Sequence, residues 1–151
     1  MIERRSPRRR LHPDSALPDV AGRPVTVVHL AAEYFPYART GGLAEAVAGL
    51  ARFQVLAGVR TVALMPLHAT AREVAGPLEA VGEPFEVRLG ARRETARLLR
   101  EVTPRPGGRI HFIEHAGFFD RDKLYGDARG DYADNPDRFA FFARAALKAL
   151  P

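Results

Sequence analysis

Residues 24–65 hold, in order, a β-branched apolar run, a loop closing on two consecutive glycines, an amphipathic stretch and a second apolar run. That order restricts the fold more than any other feature of the chain. The first run, PVTVVHL (24–30), is almost continuously hydrophobic, as expected of a strand buried on both faces of a parallel sheet. Residues 31–42 form a polar and aromatic loop with Pro36, Gly41 and Gly42. Leu43, Val47, Leu50 and Ala57 recur at helical spacing with Phe53 near the stripe, which predicts a helix over 43–57 ended by Gly58. RTVALM (60–65) is a second strand, stopped by Pro66. Strand, helix and strand at this spacing make a right-handed βαβ unit, so the fold class is α/β with a parallel sheet.

Residues 67–84 read as a loop with a short helical piece. Segments 85–89 and 95–102 are extended candidates, although 91–101 fits a helix equally well. Residues 104–108 form a turn, and RIHFIE (109–114) is a strand. A loop rich in Gly, Asp and aromatics follows over 118–126. The last helix carries its own start signal, with Asn135 as cap, Pro136 in the first turn and Asp137 facing the dipole. Phe139, Phe142, Ala146 and Leu150 fall on its expected buried face. A crossover helix normally leads to another parallel strand, and this sequence stops at Pro151, so one part of a larger fold is expected.

Composition excludes several alternatives. Of 151 residues, 46% are hydrophobic and 27% charged, which suits a packed core rather than wholesale disorder. The apolar stretch 25–32 is far shorter than the ~20 residues of a membrane span. The Arg-rich start runs into Leu11, His12, Pro13 and Asp14 instead of the apolar region of a signal peptide. No Cys is present, which removes disulfide and thiolate chemistry and fits a reducing, cytoplasmic setting. Of the +5 net charge, +3 lies in residues 1–23, where Arg at positions 4, 5, 8, 9, 10 and 23 outnumber Glu3, Asp14 and Asp19. With no aromatic before Tyr34 to stack on bases, that segment reads as a disordered, solvated tail, and neither nucleic acid nor membrane is expected as a partner.

The chemistry concentrates in EYFPYARTGGL (33–43), at the carboxyl end of the first strand, where open α/β sheets bind ligands. Gly41 and Gly42 at a helix start permit close backbone approach, and free N–H groups with the helix dipole attract an anion. Arg39 adds a fixed cation. The loop is neither a Walker A motif nor a GxGxxG fingerprint. Asp120, Asp122 and Asp127 lack the spacing of a calcium loop. His111 and His115 are roughly 13 Å apart by strand rise, too far for one metal ion. His29 reads as a sheet residue and His68 as a loop residue.

Three ordered blocks carry a family resemblance: VVHLAAEYFPYARTGGLAE (27–45), FIEHAGFFDRDKLYG (112–126) and DYADNPDRFAFFARA (131–145). Together they resemble the N-terminal signature of bacterial glycogen synthases and plant starch synthases, whose pattern includes A-E-x-x-P-x-x-K-T-G-G-L-x-D. The resemblance implies a GT-B glycosyltransferase with two Rossmann-like domains, of which residues 24–151 would be part of the N-terminal one. Such enzymes move glucose from ADP-glucose or UDP-glucose to an α-1,4-glucan with retention, without a metal or other cofactor. By the same resemblance Arg39 stands at the family Lys beside the donor diphosphate. Gly41 and Gly42 supply close backbone approach, Thr40 helps to shape the loop, Glu45 replaces the family Asp, and Tyr125 either lines the sugar cleft or packs against the sheet. The main catalytic groups are expected beyond Pro151, so this chain by itself is expected to be inactive. A binding module for glucan or nucleotide, without catalysis, is the alternative.

Overall fold

The computed structural model describes residues 25–103 and 108–150. The expected tail 1–23, Pro24, Pro151 and most of the expected turn 104–108 lie outside the described residues. In chain order the elements are β1 (Thr26–Leu30), α1 (Leu43–Leu56), β2 (Arg60–Pro66), α2 (Ala69–Val74), β3 (Leu78–Ala80), β4 (Phe85–Leu89), β5 (Arg92–Glu101), β6 (Arg109–Glu114), α3 (Ala116–Phe119), β7 (Gly126–Asp127), β8 (Gly130–Asp131) and α4 (Asn135–Ala149).

β1, β2 and β6 pair in parallel, with Val28 beside Val62 and Leu64 beside His111. The βαβ expectation therefore holds, with α1 ending at Gly58, whose φ of 84° only glycine adopts without strain. The sheet is mixed, however. Beyond β6 the order continues through β5 to β3, both antiparallel, and β4 folds back on β5. Residues 92–101 show why sequence left helix and strand open there: six of the ten side chains are charged, and nothing local favours extension. The turn at Gly90 (φ 59°) and pairing with Phe85–Leu89 make it a strand.

The sheet separates two cores. On one face Ala51, Ala63, Met65, Tyr37, Phe112 and Leu99 pack together beneath α1. On the other, Leu64, Ile113, Phe118 and Phe119 pack against Phe141, Phe142, Ala145 and Ala146 of α4. The alternation of Ala63 and Met65 with Leu64 along β2 feeds both, as a doubly covered strand requires.

Both helix faces differ from the sequence reading. In α1 the fully buried residues are Ala44 and Ala51, while Leu43 and Leu50 are each 50% exposed. In α4 the buried stripe is Arg138, Phe141, Phe142, Ala145 and Ala146; Phe142 and Ala146 are buried as expected, whereas Phe139 and Leu150 are only half-buried. An arginine at a core position obscured the period. Asn135 is not the cap but the first helical residue; Asp134 holds the cap position and its side chain makes no capping bond. Arg121 takes the Asp134 carboxylate instead, at 2.9 and 2.5 Å.

Candidate active site

The loop after β1 is held from within by Glu33. This carboxylate is only 3% exposed and accepts from the Thr40 N–H, the Thr40 hydroxyl and the Tyr125 hydroxyl, each at 2.7 Å. Burial works to raise its pKa. The hydrogen bonds from Thr40, Tyr125 and the Gly41 N–H outweigh that and hold it below the ordinary carboxylate value. Glu33 is thus an ionised anchor that fixes the approach to Gly41 and Gly42. Sequence pattern alone assigns Glu33 no role. A glutamate inside an otherwise apolar and aromatic stretch was the available signal.

The glycine pair starts α1, with Gly42 at the cap position (φ −76°, ψ −8°) and no side chain capping the helix. A Cβ placed on either glycine would meet no atom within 4 Å among the described residues. Among the described residues nothing fills the space above this helix end. Arg39, Thr40, Gly41, Gly42 and Glu45 line a shallow depression of about 470 Å³. Uncapped N–H groups, a positive helix end and a guanidinium are the elements of an anion site.

Arg39 and Glu45 meet across this depression, Nη1 donating to Oε1 at 2.9 Å, both well exposed. The Arg39 hydrogen bond lowers the Glu45 pKa. The two positions that depart from the family pattern therefore face each other, and each longer side chain reaches the other. Arg39 also lies over the Phe35 ring, 5.9 Å from its centroid.

Tyr125 reaches the site from the loop after α3. Besides donating to Glu33 it packs on Phe139 at 5.7 Å, and its pKa is raised by burial and by that bond. Its backbone oxygen accepts from Asn135 Nδ2 at 2.7 Å. Asn135 Oδ1 in turn accepts from Arg138, so the start of α4 carries Tyr125 on one side and Arg138 on the other. All six sequence-derived residues are thereby brought to one end of the parallel strands: five line the depression, and Tyr125 joins through Glu33.

Two buried groups stand behind this end. Arg138 is fully buried; its Nε donates to the Phe118 carbonyl at 2.6 Å, and Phe119, Tyr132 and Phe139 surround its guanidinium. Among the described residues its Nη2 has no hydrogen-bond partner, and burial lowers its pKa. His68 is not an ordinary loop residue: it is 1% exposed and bonds the Ala32 carbonyl through Nε2 at 3.0 Å. Burial pushes its pKa down to about 4, so the ring is neutral and its Nε2–H is the donor. His29 bonds Gln54 of α1, and His115 caps α3 by accepting from the Phe118 N–H. Among the described residues no three His, Asp or Glu converge as metal ligands, and no helix is long and apolar enough to cross a membrane.

Known proteins are similar to this chain in sequence and fold. The family described as starch synthase catalytic domain matches residues 26–151. A glycogen synthase of Syntrophotalea carbinolica is 36% identical over 131 residues, covering 84% of this chain and 26% of that protein. One from Rhodopirellula baltica is 33% identical over 135 residues, covering 83% and 27%. The chain thus spans about a quarter of the length of these relatives. Among solved structures, the catalytic domain of starch synthase IV from Arabidopsis thaliana, bound to ADP and acarbose, superposes with a TM-score of 0.68 at 30% identity. That similarity covers 82% of this chain and 24% of the other.

Proposed function

The chain belongs to the starch synthase catalytic-domain family of glycosyltransferases, and we propose that it supplies the donor-diphosphate wall of a GT-B active-site cleft. In this reading the complete cleft transfers glucose from ADP-glucose, or UDP-glucose, to an α-1,4-glucan with retention of configuration. The Arabidopsis neighbour, whose structure holds ADP and acarbose, supports a nucleotide and a glucan as the ligands.

The observation that carries the proposal is the Glu33 tether. An ionised, buried carboxylate holds Thr40 by two bonds and so sets the Gly41 and Gly42 backbone at an open, uncapped helix start. As a sugar–phosphate bond breaks, negative charge grows on the departing diphosphate. N–H groups already aligned at the helix start stabilise that charge without reorganisation, and Arg39, on turning from Glu45 to phosphate, adds a cation. Tyr125, fixed by Glu33 and Phe139, borders the sugar side. The second wall and the remaining catalytic groups come from the part of the fold outside these residues, so binding is expected of this chain and turnover is not.

The test is a titration of the ¹⁵N-labelled chain with ADP. Amide resonances of Thr40, Gly41, Gly42 and Leu43 are expected to shift, with Arg39→Ala weakening the response several-fold. Unmoved resonances across 39–45 at millimolar ADP would remove the proposal.

A further inference from the structure

The Glu33 tether depends on where Tyr125 stands, and Tyr125 is held by the start of α4. Its hydroxyl donates to Glu33 Oε1 at 2.7 Å. Its carbonyl accepts from the Tyr132 N–H at 2.9 Å and from Asn135 Nδ2 at 2.7 Å. Its ring packs on Phe139, one turn beyond Asn135 on the same face of the helix. The next residue, Gly126, pairs with Asp131 in the hairpin of β7 and β8. A Cβ on Gly126 would stand 2.3 Å from the Gly130 carbonyl oxygen, so the hairpin closes on a bare backbone. That tight closure returns the chain from Tyr125 to Tyr132 and into α4.

Asn135 uses both ends of its amide here. Oδ1 accepts from Arg138 Nη1 at 2.5 Å, while Nδ2 donates to the Tyr125 carbonyl. A guanidinium only donates and a carbonyl only accepts, so these partners fix which way the amide points. The amide is not occupied with capping, because Asp134 holds the cap position of α4. Arg138 is itself fully buried and anchored by Nε on the Phe118 carbonyl at 2.6 Å. One line of contacts therefore runs from a buried arginine through Asn135, Tyr125 and Glu33 to the N–H and hydroxyl of Thr40, beside Gly41. Its two ends lie far apart in sequence and meet only through side chains.

We infer that Asn135 is a positioning residue for the glycine loop: by joining the Tyr125 carbonyl to buried Arg138 it aims the Tyr125 hydroxyl at Glu33, and through Glu33 it sets the Thr40–Gly41–Gly42 backbone. Asn135 touches no ligand in this role and acts through Tyr125. When its donor is removed, the Tyr125 carbonyl still accepts from Tyr132, so the hairpin remains and the loss falls on the aim of the Tyr125 side chain. What the loop then binds rests on the donor-diphosphate reading, whereas the coupling is measured without ligand.

Asn135→Asp is the probe, because it keeps the acceptor for Arg138 and removes only the donor to Tyr125. In the ¹⁵N-labelled full chain without ligand, exchange of the Thr40 and Gly41 amides is expected to quicken ~10-fold, with Val62 and Leu64 of β2 unchanged. Tyr125→Phe cuts the same line one link further on and should act alike. The double variant should then exchange no faster than Tyr125→Phe alone. On addition of ADP, the response of the Thr40–Leu43 amides should weaken several-fold in Asn135→Asp. Asn135→Ala, which removes both bonds, is read in the same way. Thr40 exchange that stays unchanged, that quickens in step with β2, or that adds up in the double variant would overturn the proposal. An ADP response equal to that of a responsive wild type would also overturn it. So would loss of the fold in both Asn135→Asp and Asn135→Ala, which would make Asn135 a residue of the fold alone. A wild-type chain indifferent to ADP, with the exchange effects intact, would remove the donor reading and uphold the positioning of the loop by Asn135.

Discussion

α1 and α4 are nearly equal in length, 14 and 15 residues, and lie on opposite faces of one sheet, yet they are used differently. α4 buries two phenylalanines, two alanines and an arginine. α1 buries two alanines and leaves Leu43, Leu50, Phe53 and Leu56 at least half exposed. The helix that is packed most completely holds the site from behind; the helix that is packed least presents its N-terminus and one flank. Substitutions on the two sides should separate the packing of α4 from the ligand chemistry proposed for the start of α1.

The largest effect is expected at Arg138. Arg138→Ala removes a fully buried side chain, empties the space between three rings and leaves the Phe118 carbonyl without its donor. A loss of about 3 kcal/mol or more in urea unfolding is expected. Arg138→Met, which keeps the volume, should lose distinctly less. Equal losses would place the role in the hydrogen bonds instead of the packing.

His68 gives the next effect, and it depends on pH. Its folded pKa, about 4, lies below the ordinary 6.5 because burial disfavours the charged ring. The unfolded chain therefore binds a proton between pH 6.5 and 4 that the folded chain refuses. The stabilisation is fully present above 6.5 and is lost as pH falls toward 4, on the order of 3 kcal/mol across that window. His68→Gln, which can still donate to Ala32, should flatten the slope between pH 6.5 and 4. An unchanged slope would show that other groups cause it.

The two sides were not equally legible in the sequence. β1, α1, β2 and β6 are read correctly because apolar runs and the Gly58 stop are local signals. β3 and the strand character of Arg92–Glu101 depend on pairing with distant residues, which composition does not encode. The stripe expected for α1 is displaced, because the small Ala44 and Ala51 face the sheet while Leu43 and Leu50 stay half exposed. Arg138 and His68 were missed for one reason: polar side chains are read as surface, and only the tertiary contacts reveal them as buried. The glycine loop was legible through its motif, whereas its Glu33 anchor was visible but lacked partners until Thr40 and Tyr125 were brought to it.

Glu33 tests whether the site face contributes to stability at all. Glu33→Gln keeps the shape but weakens three charge-assisted bonds, and a loss of ~1–3 kcal/mol is expected at neutral pH. Since the folded pKa is lowered, this stabilisation is present above the ordinary carboxylate value and disappears as pH falls through the folded one. Wild type and Glu33→Gln should therefore converge in acid. The exchange of Thr40 and Gly41 amides should quicken in the variant even where global stability changes little, because the tether acts locally.

The smallest effect on stability belongs to the residue with the largest proposed role in binding. Arg39 and Glu45 form an exposed pair, and such pairs contribute little to folding. Arg39→Ala is expected to leave the thermal midpoint within about a degree while weakening ADP binding several-fold. Glu45→Gln sharpens the distinction. It frees Arg39 from its present partner, so a guanidinium that must turn from carboxylate to phosphate should bind ADP more tightly in this variant. A pair that serves only the fold would respond in the opposite way, with a lower midpoint and unchanged ADP affinity in both variants. Raising the salt concentration should weaken ADP binding in wild type and Glu45→Gln, and much less in Arg39→Ala, since the screened charge is the one removed.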